Sequence, residues 1–260
     1  IVGIKNNKIF EFEKVFKKIK ENIYLIEQNL NHTFKEVVLI LENFNLKFIN
    51  FTGFKKLNGS QVLRENITYI LNTLKSEVDT IETKNTILHI FNSKFYLDKK
   101  ENENLPIGLF GDFYSHELSF VLIDNNDYKN LLNIFEKCNL KLNKILVKSF
   151  IENACISEDN EKINSFFQIK VNNDKSKIIY FENNSIKFEQ EFNFGNDIVV
   201  KDICKITSLK KETVNFFLSK TLLKKDFTEH ELVEEKFFDK INYRKIKKKL
   251  IYDIADARIE

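Results

Sequence analysis

Along residues 11–30 the apolar side chains Phe12, Val15, Phe16, Ile19, Ile23 and Ile26 recur at three- and four-residue intervals, with lysine, glutamate and asparagine between them. That period lines one face of an amphipathic helix. The pattern then changes. Val37-Val38-Leu39-Ile40-Leu41 is an unbroken apolar run too short for a surface helix, and it predicts a buried strand. Phe44, Leu46 and Phe48 alternate with polar residues, as in a half-buried strand. Residues 64–74 predict a short helix, and 86–90, 95–97 and 118–123 predict strands. Helical spacing returns at 127–138 through Leu131, Leu132 and Phe135, before a strand at 144–147 and a helix at 149–156.

Residues 166–171, 176–182 and 185–192 predict three successive antiparallel strands. The turn Glu182-Asn183-Asn184-Ser185 carries hairpin chemistry, because asparagine tolerates left-handed backbone. Helical stretches at 198–206 and 242–259 close the chain. An α/β order followed by strands and then helices predicts two α/β lobes, and the polar stretch 157–164 is the expected boundary. One proline and six glycines leave little linker material.

Composition narrows the function classes. Lys plus Arg (41) nearly balances Asp plus Glu (38), a net charge of +3 that implies no nucleic-acid partner. Arginine occurs only at 64, 244 and 258 while asparagine occurs 32 times, a bias that AT-rich codons explain. The basic run Arg244-Lys245-Ile246-Lys247-Lys248-Lys249 is therefore weighed first as a solvated face. Cys138, Cys155 and Cys204 form neither a zinc pattern nor a disulfide frame, which fits a reducing compartment. No apolar run approaches the ~18 residues of a membrane span. His32, His89, His116 and His230 lack metal-ligand spacing, and His89 between Leu88 and Ile90 reads as a structural histidine. G-x-S-x-G, H-E-x-x-H, Walker A and G-x-G-x-x-G patterns are all missing, so an enzyme is disfavoured. Without methionine, and beginning at Ile1-Val2-Gly3, the sequence is expected to be an internal fragment.

Several short motifs carry a resemblance. Ile87-Leu88-His89, then Tyr96-x-Asp98, then Pro106-x-Gly108-Leu109-x-Gly111 resembles the I-L-H, Y-x-(V/L)-D and P-x-G-(M/L)-x-G signature of FtsA, the bacterial actin-like cell-division family. Residues 3–9 resemble its glycine-led hairpin, and Asn50-x-x-Gly53 its N-x-x-G turn. Residues 125–142 resemble a helix and the turn after it. Arg244-x-Ile246, Ile251, Ile254 and Arg258-x-Glu260 match its R-x-(L/I) … L … R-x-E helix. The resemblance implies an actin-like (ribonuclease H-like) two-lobed α/β fold, with the FtsA-specific α/β insert in the first lobe and truncation at both ends. It implies a first lobe in two parts, 1–45 and 125–160, around the insert at 46–124. A second-lobe core at 161–219, a short subdomain at 220–247 and the start of a helix at 248–260 follow.

The sharpest departure falls on the second phosphate loop, where the family's D-I-G-G-G-T-T should lie on Lys170-Val171-Asn172-Asn173-Asp174-Lys175-Ser176. A glycine turn brings backbone N–H groups against phosphate oxygens because no Cβ blocks the approach. Here all three glycines are replaced, a lysine stands for the aspartate that would organise magnesium, and Asp174 would repel phosphate. Lys170 and Lys175 could instead meet phosphate as point charges. The later P-x-G-G pattern is eroded to Asn193-Phe194-Gly195-Asn196, although Asp202-Ile203 keeps its pair. ATP with magnesium is thus expected of the family, and its loop is eroded here.

The implied role is a scaffold and not an enzyme: it tethers FtsZ polymers to the inner face of the cell membrane at the division site, self-associates into actin-like polymers and helps recruit later division proteins. Membrane attachment would come through a C-terminal helix absent from this chain. Arg244, Lys245, Lys247 and Lys248 are the candidate contacts for the FtsZ tail, on a helix whose expected apolar stripe is Ile246, Leu250, Ile254 and Ala257. The alternatives are another actin-like adaptor, such as the pilus protein PilM, or an actin-like ATP-binding enzyme or chaperone.

Overall fold

The computed structural model describes residues 3–5, 8–42, 44–159, 163–238 and 243–259. The chain begins with a short antiparallel hairpin, β1 (Ile4–Lys5) and β2 (Lys8–Ile9). Gly3 leads it at φ +91°, where a Cβ would stand 2.8 Å from the Glu11 carbonyl oxygen. Helix α1 (Phe12–Leu30) follows the expected period and ends on Asn31 in the left-handed conformation. Strand β3 (Glu36–Leu41) comes next. The expectation of a wholly buried strand is corrected here: Leu41 is buried, but Val38 and Ile40 are exposed. β3 lies in a two-stranded sheet, so only alternate side chains reach the core.

The next elements are β4 (Leu46–Lys56), α2 (Arg64–Ile81), β5 (Asn85–Leu97), β6 (Lys100–Asn102) and β7 (Phe113–Asp124). Their strands form one antiparallel sheet in the order β4-β7-β5-β6. Ile70, Leu74 and Val78 repeat every fourth residue along α2 and join Tyr114, Leu118, Phe120 and Leu122 in one buried cluster. Val78 explains why α2 outruns the helix expected at 64–74. Two further expectations change. The strands read at 86–90 and 95–97 are the single strand β5, which crosses the gap with register shifts near Ile87 and Asn92. Asn50-x-x-Gly53 is no turn but the middle of β4, with Asn50 opposite Ser119 and Gly53 opposite His116.

Asp124 caps α3 (Asn125–Lys137), its carboxylate accepting from the Asn126 and Asp127 amides. β8 (Lys141–Val147) then pairs parallel with β3, so the sheet formed by β4–β7 is an insertion between two partnered strands. After α4 (Lys148–Asp159), part of the 157–164 stretch expected as a boundary lies outside the described residues.

β9 (Ser165–Val171), β10 (Ser176–Glu182) and β11 (Ser185–Phe192) form the expected meander, in the order β11-β10-β9. Asn183 and Asn184 both take positive φ, 47° and 58°, as a two-residue hairpin turn requires. The last elements are α5 (Asn196–Thr207), α6 (Lys211–Lys220), a 3₁₀ turn (Glu235–Phe237) and α7 (Lys248–Ile259). The helix expected from 242 starts only at Lys248, and Asn242 lies outside the described residues. Its buried residues are Ile251, Ile254 and Ala255, while Leu250 is exposed. Ile246 is buried ahead of the helix, beside the bridge between Leu232 and Lys247.

The chain divides into two compact units: Ile1–Gln168 with Ile179–Glu189, and Ile169–Ile178 with Gln190–Glu260. The first holds the insert core and a cluster of Ile179, Phe181 and Ile186 against Phe48, Phe150 and Phe166. The second is built on Val200, Ile203, Val214, Phe217 and Ile251. Among the described residues no helix is long and apolar enough to cross a membrane.

Candidate functional site

The residues expected, from the resemblance, at the family's phosphate loop form the hairpin turn between β9 and β10. Lys170 and Val171 end β9, Ser176 begins β10, and the Asn172 amide donates to the Lys175 carbonyl at 2.9 Å. None of residues 172–175 has positive φ. The segment is an ordinary hairpin turn that needs no glycine. The side chains of Asn172, Asn173 and Asp174 are exposed.

Gly195 and Asn196, from the eroded P-x-G-G pattern, lie against that turn. Asn196 donates its amide to the Asn172 carbonyl at 2.9 Å, and Asp197 donates to the Asn173 carbonyl at 2.7 Å. These are the first two residues of α5, whose amides have no partner within their own helix. A free helix N-terminus suits an anion; this one is met by carbonyl oxygens of the chain itself. Gly195 makes the approach feasible. A Cβ there would fall 2.5 Å from both the Asn172 and Asn173 carbonyl oxygens.

The side chains do not favour an anion either. Lys175 donates to Glu191 at 2.5 Å, and that carboxylate holds its ammonium pKa above the ordinary lysine value. Ser176 is buried, and its hydroxyl has no partner among the described residues. The residues present at this turn do not fit a nucleotide phosphate.

The basic run is divided by the fold. Arg244 and Lys245 are exposed in the extended segment before α7, with Arg244 Nη1 3.4 Å from the Ser208 carbonyl oxygen. Lys247 and Lys249 converge on Glu229 at 2.7 and 3.0 Å, and Lys248 reaches Glu234 at 3.4 Å. The two lysines push the Glu229 carboxyl down to about 2. The acidic partners of this run escaped sequence reading because they lie on a preceding loop, 18 residues away in the case of Lys247 and Glu229.

The residues carrying the resemblance have packing roles in the insert. Asp98, at φ 51°, accepts from the Asp112 and Phe113 amides at 2.8 Å each, closing the loop after β6. Gly111 leaves room for Leu97, whose Cδ1 would be 2.5 Å from a Cβ, and Gly108 sits at φ +84°. Pro106 is buried. His89 stacks on Phe91 and Phe150 at 5.5 and 6.3 Å, and burial lowers its pKa. Among the described residues no group of His, Cys, Asp and Glu could hold a metal ion.

No family model matches the sequence. Curated relatives do. The cell division protein FtsA of Buchnera aphidicola subsp. Schizaphis graminum is 24% identical over 201 residues, 77% of this chain and 48% of that protein. FtsA of Escherichia coli K12 is 18% identical over 201 residues, 77% of this chain and 47% of its own length. FtsA of Buchnera aphidicola subsp. Baizongia pistaciae is 19% identical over 234 residues, 89% of this chain and 55% of its own. The chain thus spans about half the length of the curated relatives it matches. Among solved structures, the PilM–PilN type IV pilus biogenesis complex superposes with a TM-score of 0.53 at 9% identity, covering 84% of this chain and 59% of that one. At that identity the likeness concerns the fold alone. The chain has an actin-like α/β fold, and over about three quarters of its length its sequence is similar to FtsA, the bacterial actin-like cell-division protein.

Proposed function

We propose that this chain is a cell-division scaffold, one that tethers FtsZ polymers to the inner face of the cytoplasmic membrane at the division site and helps recruit later division proteins. The observation that supports this reading is the similarity to FtsA over 201 residues. In the proposed division of labour, 1–45 and 125–160 make the first actin-like lobe, and the insert at 46–124 makes self-contacts in a polymer and meets later division proteins. Residues 161–219 are the second-lobe core, 220–247 receive the FtsZ tail, and 248–260 begin a second-lobe helix. The scaffold acts through surfaces and carries no catalytic residue. ATP with magnesium binds it far more weakly than it binds an FtsA that keeps its phosphate-loop glycines.

The experiment is direct binding of the purified chain to a labelled FtsZ C-terminal peptide, read by fluorescence anisotropy at low salt. Saturable binding that weakens when Arg244, Lys247 and Lys248 are replaced by glutamate supports the reading. A chain that leaves the peptide's anisotropy unchanged contradicts it. The likeness to the PilM–PilN complex favours a second reading, a pilus-type adaptor. Binding of a PilN peptide in place of the FtsZ tail decides for that alternative.

A further inference from the structure

The hairpin turn and α5 together suggest more than a weakened nucleotide site. We propose that Asn172, Asn173 and Gly195 form a closed clasp: carbonyl oxygens of the turn take the first two amides of α5, so this unit keeps its shape without a nucleotide. The inference rests on the reading that this turn corresponds to the family's second phosphate loop.

Three observations converge. The Asn196 and Asp197 amides are both engaged, at 2.9 and 2.7 Å, by successive carbonyls of the turn. Two adjacent bonds fix both the position and the direction of the turn relative to the helix axis. The helix dipole also favours the partial negative charge of those oxygens at its N-terminus. Second, glycine at 195 is required by space and not by backbone freedom. Its φ of −160° is ordinary extended backbone, yet a Cβ would fall within 2.6 Å of Asn172 O, Asn173 O and the Asn173 carbonyl carbon. This accounts for the one glycine that persists where the neighbouring glycine positions of the family pattern hold Asn and Asp. Third, Lys175 on the turn and Glu191 on β11 are joined at 2.5 Å. That pair ties the far side of the turn to the strand that leads into α5, and it occupies one of the two lysines that could meet a phosphate.

In a glycine loop the bound phosphate supplies the negative oxygens that hold turn and helix together. Here the chain supplies them itself, which removes the requirement for a ligand. Substitution of the loop glycines and retention of Gly195 then become two sides of one arrangement.

Amide hydrogen exchange on the intact chain without nucleotide tests this. First-turn amides of a helix are normally unprotected because they lack an intrahelical acceptor. The clasp predicts that the Asn196 and Asp197 amides exchange at least about tenfold slower than unstructured amides. Exchange at the unprotected rate overturns it. Addition of millimolar ATP with magnesium should leave both rates unchanged; loss of protection on addition means that the clasp opens for phosphate, and overturns the inference. Gly195→Ala should release these two amides while those of the α5 interior stay protected. Should that variant fail to fold, the wild-type rates still decide. Weak ATP binding with unprotected amides would sink the clasp alone, whereas tight ATP binding would sink the reading of an eroded loop.

Discussion

Lys187 on β11 donates to the Glu117 carboxylate on β7 from a position only 8% exposed. Glu182 lies 3.9 Å from the same ammonium, and it also receives Lys94 at 3.2 Å and the Tyr180 hydroxyl at 3.1 Å. Two lysines and two carboxylates therefore balance where the β10–β11 hairpin meets the inserted sheet. Asn50 adds a neutral bond to the Lys187 carbonyl at 3.1 Å.

Breaking one member of such a pair strands a charge away from water, while removing both members spares that penalty. Lys187→Met alone, or Glu117→Leu alone, should cost about 3–5 kcal/mol. Lys187→Met combined with Glu117→Leu leaves Lys94 and Glu182 matched and should cost much less than either single change suggests. Urea unfolding of wild type, the two single variants and the double gives the coupling directly. Additive losses would mean that Lys187 and Glu117 do not act as a pair.

His116 sets a pH dependence. It is fully buried on β7, packed on Phe95 at 4.9 Å, and neither ring nitrogen has a partner among the described residues. Burial pushes its pKa down to about 4. The folded state therefore holds the ring neutral at pH values where the unfolded chain, with a pKa of about 6.5, already binds a proton. Its full contribution is present above pH ~6.5 and is lost as the pH falls towards 4, up to about 3 kcal/mol. His116→Leu should flatten the difference in stability between pH 7 and pH 5. Unfolding curves at the two pH values check this, and an unchanged slope would show that His116 finds water or a partner.

Gly53 on β4 is a packing residue. A Cβ there would lie 2.5 Å from Ile70 Cγ2 and 3.3 Å from Leu74, on the helix that covers the sheet. Gly53→Ala should destabilise the insert by about 1–3 kcal/mol through overpacking. Ile70→Leu removes the branch at Cβ, so the double variant should lose less than the sum of the singles. Thermal melts of all four proteins test the coupling.

The elements that were legible in the sequence are those whose side-chain period is local. α1 shows its stripe over about four turns, from Phe12 to Ile26, and Asn183-Asn184 announces its turn by residue type alone. α6 was invisible because it buries only Val214 and Phe217, and Lys210 at its N-cap makes no side-chain cap bond. The start of α7 was misplaced because Ile246 fits a helical stripe but is buried from an extended segment. Val38 and Ile40 read as core, since an apolar run carries no record of how many strands will cover it. At the candidate site the lack of glycine at 172–174 was plain. The acceptors of the α5 amides were not, because those bonds join backbone atoms and leave no signature in residue identity except Gly195.

The proposed contact with an FtsZ tail can be tested through the charge of this segment. Glu229 accepts from both Lys247 and Lys249, and Glu234 takes Lys248. Three cations of the basic run thus share two carboxylates, one of which also meets Lys236, so the run is partly compensated before any partner arrives. Exposed pairs of this kind contribute little to stability, so their effect should appear in association. Glu229→Gln frees two ammonium groups without altering the fold, and an acidic peptide approaching this segment then meets a more positive field. Stopped-flow mixing with an FtsZ tail peptide should show association several-fold faster than wild type at low salt. The gain should vanish at high salt, since the Debye length is already ~8 Å at physiological ionic strength. Replacing Arg244, Lys247 and Lys248 by glutamate should act in the opposite direction. An association rate indifferent to Glu229→Gln at low salt would speak against a tail contact here and leave the run as a solvated, partly compensated surface.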